Sequence, residues 1–423
     1  MIERLRQLGQ WAGFVLLLVL YAIPPALLAG AVLLGDFALG LLAIAFGAGM
    51  GAFTLSAPFL LMALANSVAM RKPPPVPQEA QDLHSRLMLA DMHADTFMWQ
   101  RDILRRSRWG HVDVPRMREG NAGLYVFTAT TSVPLGMNFA SSPRTLDMLT
   151  ALHALQGWPR TTWFSLKDRA LYMLARMDDA ASRSGGQFMV IRSLEDLTRY
   201  LARRGAGEWV GACLPGIQGV HCFEHQLKHV KTLFEAGFRM AGLTHFFDNA
   251  AGGSAHGVRK YGLTDFGRAA VARMQELGMI IDLAHAAPQL MDDVLAQATR
   301  PLVISHTGPK GVHESNRTVS DDHLRAVAAT GGVAGIGFWK HVVGGPGVDP
   351  IADAICYVCG LVGDAHVGLG SDFDGVIPAP FDASGMPVLT QKLLERGLSE
   401  ESIARIMGGN VLRVIEGALP EKA

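Results

Sequence analysis

The chain has 423 residues, of which 49% are hydrophobic, and its 38 basic side chains balance 38 acidic ones. A formal charge of zero gives no reason to expect nucleic acid as a partner. The length allows one large domain of about 250 residues or more with additional segments. Four cysteines are too few for a disulfide scaffold, and the pair Cys356 and Cys359 lacks the second pair that a structural zinc site needs.

The first 70 residues have the composition of a membrane anchor. Between Arg6 and Arg71 the only charged residue is Asp36, which leaves two apolar segments, residues 11–34 and 37–70. Each is long enough to cross a bilayer core, which takes about 20 residues. A cleavable signal peptide is the competing interpretation, but its apolar region is typically about 7–15 residues long. We therefore predict a two-helix transmembrane hairpin over residues 1–70, in contact with the lipid bilayer through residues 11–70.

Basic residues flank the predicted hairpin on both sides. Arg4 and Arg6 precede it, and Arg71 and Lys72 follow it. Positive flanks favour the cytoplasmic side, so we expect a multi-pass protein of the inner or cell membrane whose remaining chain lies in the cytoplasm. Residues 71–84 are rich in proline and predict a stiff linker that holds the next domain off the membrane surface.

From residue 85 onward, short apolar runs alternate with longer helical patterns. Strand–helix alternation implies a parallel sheet, and about eight such units imply a closed (β/α)8 TIM-like barrel, which we predict over residues 85–423. Residues 141–186 have a helical pattern and predict an insertion. The strand-like runs are residues 87–95, 122–131, 188–191, 210–219, 240–246, 279–286, 302–307, 332–338 and 367–374.

Several of these runs deliver a residue that binds metals or transfers protons. His93 and Asp95 are two residues apart and share one face of a strand, and an imidazole beside a carboxylate suits a divalent metal such as zinc. A buried imidazole bonded to a backbone carbonyl explains any single histidine, but it accounts poorly for a whole set. Barrels of this kind place catalytic groups at the carboxyl ends of their strands. The further members of the set are Gln218, His245, His285, His306 and Asp372.

Together with several short motifs, these residues resemble the renal (membrane) dipeptidase family, zinc peptidases of the amidohydrolase superfamily. The resemblance covers about residues 85–415 and does not include the predicted hairpin. Order, spacing and strand context agree across all of the motifs. They are Asp91-Met-His-Ala-Asp95, His111-Val-Asp-Val-Pro-Arg116, Leu243-Thr-His245, Asp282-Leu-Ala-His285, Ile304-Ser-His306, Asn316-Arg-Thr318, Gly370-Ser-Asp-Phe-Asp-Gly375 and Gly408-Gly-Asn-Val-Leu-Arg413.

The resemblance implies a metal site that holds zinc. His93 and Asp95 would bind one zinc ion with Asp372 close to it, and His285 and His306 would bind a second. Asp374 and Gly375, in the same motif as Asp372, are expected to shape the turn rather than to bind metal.

The resemblance also implies catalytic and substrate-binding roles. Water activated by the metal would attack the amide carbon, and Asp372 would relay a proton to the leaving amine. His245 would stabilise the developing oxyanion, since an imidazole N–H can donate to it. Arg317 would hold the substrate's terminal carboxylate, because a guanidinium binds a carboxylate at two points. The alternative for Arg317 is a surface ion pair.

Gln218 departs from the pattern of the resembled family. The family has a glutamate that bridges its two zinc ions, where this chain reads Ile217-Gln218-Gly219-Val220-His221. A carboxylate offers two anionic oxygens, whereas an amide offers one neutral oxygen and a nitrogen that cannot ligate. Two zinc ions would then repel one another more strongly. The number of zinc ions, one or two, therefore stays open, and one zinc is sufficient to bring the pKa of bound water to about 7.

The sequence favours a membrane-anchored, zinc-dependent hydrolase, a metallo-dipeptidase that cleaves a dipeptide or a dipeptide-like amide. One alternative keeps the barrel and changes the substrate to an N-acyl amino acid, a lactone or a biosynthetic intermediate. The other is a catalytically silent barrel used as a binding module, which Gln218 would mark. Retention of His245 and Arg317 argues against a silent barrel. The expected partner is a small dipeptide-like molecule, and a homodimer is an assembly that the resemblance allows.

Overall fold

Eight parallel strands close into a barrel in the computed structural model, which describes residues 23–31, 33–34 and 37–422. The ring runs β1-β2-β4-β5-β6-β7-β8-β9 and returns to β1. A ninth strand, β3, pairs with the start of β4 outside the ring, whereas β5 pairs with the end of β4. The predicted (β/α)8 barrel is confirmed. The strands are β1 Ala90–Ala94, β2 Leu124–Thr130, β3 Phe188–Val190, β4 Gly211–Gln218, β5 Met240–Gly242, β6 Ile280–Asp282, β7 Val303–Thr307, β8 Val333–Ile336 and β9 Val367–Leu369.

Helices connect the strands and surround the barrel. Ser193, Thr264 and Ser320 begin three of them, and each side chain accepts a backbone N–H from the residue three positions on, which satisfies a donor at the helix start. The helices are α1 Phe37–Ala65, α2 Gln78–Arg86, α3 Val114–Glu119, α4 Met148–Leu155, α5 Thr161–Phe164, α6 Leu166–Arg183, α7 Leu194–Gly205, α8 Lys228–Ala236, α9 Asp265–Leu277, α10 Pro288–Leu295, α11 Asp321–Ala329, α12 Lys340–Val343, α13 Val348–Val362, α14 Met386–Glu395, α15 Glu400–Ala404 and α16 Asn410–Ala418. The insertion predicted over residues 141–186 consists of α4, α5 and α6.

The barrel strands are buried along their whole length, as expected for a sheet with both faces covered. Every residue of β2 and β4 is buried. Gly370 follows β9 directly and lets the end of that strand approach β7. A Cβ atom at Gly370 would lie 1.8 Å from the carbonyl oxygen of Ser305, so only glycine fits. This close approach brings the loop after β9 against the end of β7.

Helix α1 is long and apolar enough to cross a bilayer. It has 29 residues with a mean hydropathy of 1.9, and only 6% of its most apolar window is buried. One helix of this kind is weak support for a membrane anchor, because a leader sequence has the same properties. Residues 23–31 and 33–34 are also helical. The rest of the predicted first span and the connection at residues 35–36 lie outside the described residues, so the two-helix hairpin stays a prediction.

The chain that follows α1 joins the barrel at once. The backbone N–H groups of Ala69 and Met70 donate to the carbonyls of Ala379 and Pro380 at 3.0 and 2.8 Å. The end of the predicted apolar segment therefore contacts the barrel before the first proline, and the linker over residues 71–84 stays a prediction. Residues 78–86 form α2, in which Leu83 and His84 are buried.

Candidate metal centre

The residues predicted from the strand ends all lie at one end of the barrel. His93 is in β1 with Asp95 just beyond it, Gln218 is the last residue of β4, and His306 is in β7. His245, His285 and Asp372 each lie three residues beyond the end of β5, β6 and β9. All seven side chains are buried. The carboxyl ends of parallel strands meet at one edge, which is why residues far apart in the chain converge here.

His93, Asp95 and Asp372 form the first half of the cluster. The Nε2 atom of His93 lies 3.8 Å from Oδ2 of Asp95 and 3.8 Å from Oδ1 of Asp372. The rings of His93 and His306 stack with their centroids 3.7 Å apart. One potential ligand atom from each of His93, His306 and Asp372 lies within 4.8 Å of the others. These distances bring two imidazoles and one carboxylate together as possible ligands of one ion, with Asp95 beside His93.

Gln218, His285 and His306 form the second half. The Nε2 atoms of His285 and His306 lie 3.1 Å apart, and the amide nitrogen of Gln218 lies 3.2 Å from the first and 3.4 Å from the second. The amide oxygen of Gln218 points the other way, 2.6 Å from the hydroxyl of Thr130. The side chain of Gln218 thus lies between the two halves, where a bridging ligand would be, but turns a non-ligating N–H2 group towards the imidazoles.

A hydrogen-bond chain fixes the tautomer of His306. The hydroxyl of Ser305 donates to Oδ2 of Asp282 at 2.6 Å and lies 2.8 Å from Nδ1 of His306. Because that hydroxyl donates its only proton to Asp282, it accepts a hydrogen bond from the N–H at Nδ1 of His306. The lone pair of His306 is then on Nε2, which faces the cluster. Such partners behind a ligating histidine orient the ring and raise its basicity.

Burial and neighbouring charge set the protonation states. Burial lowers the pKa of His93, but the hydrogen bond and charge of Asp95 outweigh burial, and the net shift is upward. Burial raises the pKa of Asp372 to about 7, and the charge of His93 opposes this shift. Burial, with nearby positive charge, holds the pKa of His285 and His306 well below the usual value. Both rings are neutral at pH 7, which is the form that binds metal.

The residues of the cluster fit a divalent metal. Nitrogen and oxygen atoms from five strand ends converge. Two of the histidines that would ligate, His285 and His306, are neutral, and His306 presents its lone pair to the cluster. His285 also has a buried Nδ1 atom without a hydrogen-bond partner. His285 and Asp372 adopt the left-handed backbone conformation, with φ of 61° and 60°, which is uncommon outside glycine. Backbone strain of this kind concentrates at functional sites.

Asp374 is a structural residue of this region. Its carboxylate is fully buried and accepts hydrogen bonds from the Thr96 hydroxyl at 2.7 Å, from the His111 backbone at 2.6 Å and from the Arg101 guanidinium. These bonds tie the loop after β9 to the loop after β1. The arrangement agrees with the expectation that Asp374 shapes the turn.

A cavity of about 430 Å³ lies over the cluster. Asp95, Gln218, His245, His285 and Asp372 are among the residues that line it, together with Arg317 and Trp339. Arg317 is only 4% exposed and has no carboxylate within 4 Å among the described residues. Its Nη2 atom donates to the carbonyl of His306 at 3.3 Å, and its guanidinium carbon lies 5.4 Å from the centre of the Trp339 ring. A surface ion pair therefore does not describe Arg317.

Sequence reasoning missed the residues that support the cluster. Ser305 and Asp282 set the His306 tautomer, Thr128 donates to Oδ1 of Asp95 at 2.5 Å, and the Thr130 hydroxyl lies 2.7 Å from the same oxygen. Their signal in the sequence is faint, because serine, threonine and aspartate are common near strand ends. Asp282 is the exception, because it lies three residues before His285 in the same motif, and this spacing could have marked it as a residue of the site.

Related proteins identify the family. The chain matches the family model described as membrane dipeptidase (peptidase family M19) over residues 77–421. An uncharacterized dipeptidase of Schizosaccharomyces pombe is 30% identical over 315 residues, which is 72% of each chain. Dipeptidase aclJ of Aspergillus oryzae is 29% identical over 357 residues, or 78% of each chain.

Solved structures share the fold. The probable dipeptidase PvdM from Pseudomonas aeruginosa superposes with a TM-score of 0.68 at 19% identity, covering 82% of this chain and 98% of that one. A metallo peptidase from Rhodobacter sphaeroides, liganded with a phosphinate mimic of the dipeptide L-Ala-D-Ala, superposes with a TM-score of 0.64 at 21% identity. The superposition covers 78% of this chain and 99% of that one. The chain belongs to the membrane dipeptidase family of metallopeptidases, and its predicted enzyme class, metallo-dipeptidase, is confirmed.

Proposed function

We propose that this chain is a membrane-anchored, zinc-dependent hydrolase that cleaves a dipeptide or a dipeptide-like amide. The observation that carries the proposal is the convergence of His93, His306 and Asp372, whose ligand atoms lie within 4.8 Å of one another at the carboxyl ends of three strands. Family membership supports a metal and a small peptide-like substrate. A silent binding module would not need neutral imidazoles, buried carboxylates and an unpaired arginine in one cavity.

In this proposal six residues hold zinc in two adjacent positions. His93, Asp95 and Asp372 form one position and His285 and His306 the other, with Gln218 between them. Zinc supplies Lewis acidity, which lowers the pKa of a water molecule to about 7. Because Gln218 brings no negative charge, we propose that one position is occupied more tightly than the other.

Asp372 and His245 are the proposed catalytic residues. Asp372 lines the cavity, where its carboxyl can take a proton and give it to the leaving amine. Burial lowers the pKa of His245 to about 3, so the ring is neutral. Its Nδ1 atom lies 3.4 Å from the carbonyl oxygen of Ser132. Donation from Nε2 to a developing oxyanion requires this long contact to be given up and the proton to move to Nε2.

Arg317 is the proposed anchor for the substrate's carboxylate. It lines the cavity as a buried cation with no acidic partner within 4 Å among the described residues. A buried charge without a partner is costly, and a substrate carboxylate would supply that partner. The hydrogen bond from Arg317 to the backbone carbonyl of His306 holds the guanidinium beside the metal-binding cluster.

The membrane anchor belongs to the proposal as well. We propose a hairpin over residues 1–70, a linker over residues 71–84 and the hydrolase barrel over residues 85–423, with the barrel on the cytoplasmic side. Helix α1 supports the second span, and the basic residues at both ends of the hairpin support a cytoplasmic position of the barrel. A reporter that is active only outside the cytoplasm, fused to the C-terminus, is the test. We expect no reporter activity, and a strong signal would overturn the orientation.

Metal removal tests the hydrolase. The full-length protein, treated with a chelator and dialysed, should lose hydrolysis of a dipeptide panel and recover it on addition of zinc. His93→Ala should lower the zinc content of the protein, whereas His323→Ala, which changes a histidine outside the cluster, should not. Hydrolysis that survives complete loss of metal would contradict the proposal.

A further inference from the structure

The cavity over the metal centre has an apolar wall that includes part of helix α1. Leu61 lines the cavity beside side chains from the barrel loops, among them Met98, Trp99, Val133 and Met137. A dipeptidase for small polar substrates has no need of such a wall. Helix α1 therefore contributes to the substrate site as well as to the proposed anchor.

Contacts on several sides hold the end of α1 in this place. Met62 is only 2% exposed and packs in one cluster with Met98, Trp99, Val133, Leu149 and Leu152. The ring of Phe59 lies 6.5 Å from the ring of Trp109. One residue past the helix, the Asn66 side chain accepts the backbone N–H of Val376 at 2.8 Å, and Val376 also lines the cavity. The last turn of α1 is thus part of the cavity's rim.

The remainder of α1 is apolar and exposed. Leu60 and Leu64 are 54% and 70% exposed, and Leu41 and Leu42 near the other end are 51% and 64% exposed. A helix of this length measures about 44 Å at 1.5 Å per residue, which exceeds the bilayer core of about 30 Å. If α1 spans the membrane as proposed, the rim of the cavity lies where the helix leaves the lipid.

Arg317 and the apolar residues that follow β2 lie on opposite sides of the barrel mouth. Arg317 is bound to the end of β7 through the carbonyl of His306 and through the hydroxyl of Thr307, which donates to the carbonyl of Arg317 at 2.8 Å. Val133 and Met137 follow β2. In the ring of eight strands, β2 and β7 are four strands apart in either direction. A substrate whose carboxylate binds Arg317 therefore extends across the metal centre towards the apolar wall.

The acidic residues of the cavity are few. Within the described part of the chain, Asp95 and Asp372 are the only carboxylates that line it, and both belong to the proposed metal centre. The charged α-amino group of a simple dipeptide would find no other counter-charge. A neutral acyl group needs none, and a long one would bury apolar surface against the wall.

We infer that the preferred substrate is an N-acyl amino acid with a long apolar acyl chain, which enters from the membrane surface. This inference rests on the proposed hydrolase function. Water adds its oxygen to the acyl carbon, the C–N bond breaks, and the nitrogen gains a proton. The products are a free fatty acid and an amino acid.

Chain length in the substrate is the variable to test. The full-length protein in lipid nanodiscs, loaded with zinc, is assayed with N-acetyl-, N-butanoyl- and N-octanoyl-alanine and with the dipeptide Ala-Ala. We expect kcat/KM to rise at least tenfold from the acetyl to the octanoyl substrate. No dependence on chain length, with Ala-Ala hydrolysed, would overturn this inference and leave the proposed function standing. Failure to hydrolyse any of the four would count against the proposed function itself.

Helix α1 offers a matched pair of variants. Leu61 lines the cavity and Leu64, one turn away, does not. Both are exposed, at 46% and 70%, near the end of α1, so Leu64→Asn controls for the effect of a polar residue in this apolar helix. Leu61→Asn should lower the ratio of octanoyl to acetyl kcat/KM several-fold, whereas Leu64→Asn should leave the ratio unchanged. Equal ratios in both variants and the wild-type protein would exclude a role for α1 in substrate binding.

Discussion

Gln218→Glu tests how this site holds metal. The amide oxygen of Gln218 lies 2.6 Å from the hydroxyl of Thr130, and the amide nitrogen lies 3.2 and 3.4 Å from the Nε2 atoms of His285 and His306. Glutamate has nearly the same shape, so it keeps the acceptor for Thr130 and replaces the nitrogen by a second carboxylate oxygen. The new oxygen faces the two imidazoles that would share a zinc ion.

The expected gain in zinc affinity follows from charge. Two unit charges 4 Å apart attract by about 4 kcal/mol at an effective dielectric constant of about 20. A divalent ion doubles this gross value, and the cost of burying the carboxylate offsets much of it. A net gain of about 1.4–2.8 kcal/mol corresponds to zinc binding that is about 10- to 100-fold tighter.

Equilibrium titration with zinc against a competing chelator measures this gain. We expect the wild-type protein to hold fewer than two zinc ions tightly, and Gln218→Glu to hold more. Gln218→Met is the control, because it removes the amide without adding charge and should not strengthen binding. A wild-type protein that binds two zinc ions with equal, tight affinity would refute the reasoning and would mean that another group offsets the repulsion.

Three further predictions concern substrate binding and stability. Arg317→Met should raise KM about tenfold or more with little change in kcat. For a substrate with a C-terminal amide in place of the carboxylate, the wild-type protein and the variant should have the same KM. An equal rise of KM for both substrates would exclude the carboxylate contact. Asp374→Asn removes the charge that faces the buried Arg101 and should cost about 3–5 kcal/mol of stability, seen as a lower Tm; an unchanged Tm would contradict the structural role. Burial lowers the pKa of His84 to about 4, so the folded protein binds fewer protons there than the unfolded chain, whose histidine has a pKa of about 6.5. The stability that depends on neutral His84 is complete above pH 6.5, and about 3 kcal/mol of it is lost as the pH falls towards 4. The Tm of His84→Gln should therefore fall less steeply over this pH range than the Tm of the wild-type protein. Parallel plots of Tm against pH for the two proteins would disprove the assignment.

The barrel and the cluster were predictable because both depend on local patterns. Each barrel strand lies within a predicted apolar run, and a ligand-type residue at the end of a strand is placed by the strand itself. His245, His285 and Asp372 occupy the same position relative to their strands. A pattern that repeats along the chain in this way is visible without any knowledge of contacts.

Contacts between distant segments were not predictable. The tautomer of His306 depends on Asp282 through Ser305, and the orientation of Gln218 depends on Thr130 in a different strand. The docking of Met62 on the loops after β1 and β2 was also invisible, because an apolar helix that packs on a protein has the same composition as one that faces lipid.

Anomalous X-ray diffraction at the zinc edge, from crystals of the full-length protein grown with zinc, tests the central claim most directly. We predict a strong zinc peak at one of the two proposed positions, which are the one beside His93, Asp95 and Asp372 and the one beside His285 and His306, and a weaker or absent peak at the other. Two peaks of equal strength would contradict the role given to Gln218. A peak elsewhere, for example between Cys356 and Cys359, with none at the strand ends would contradict the proposed metal centre.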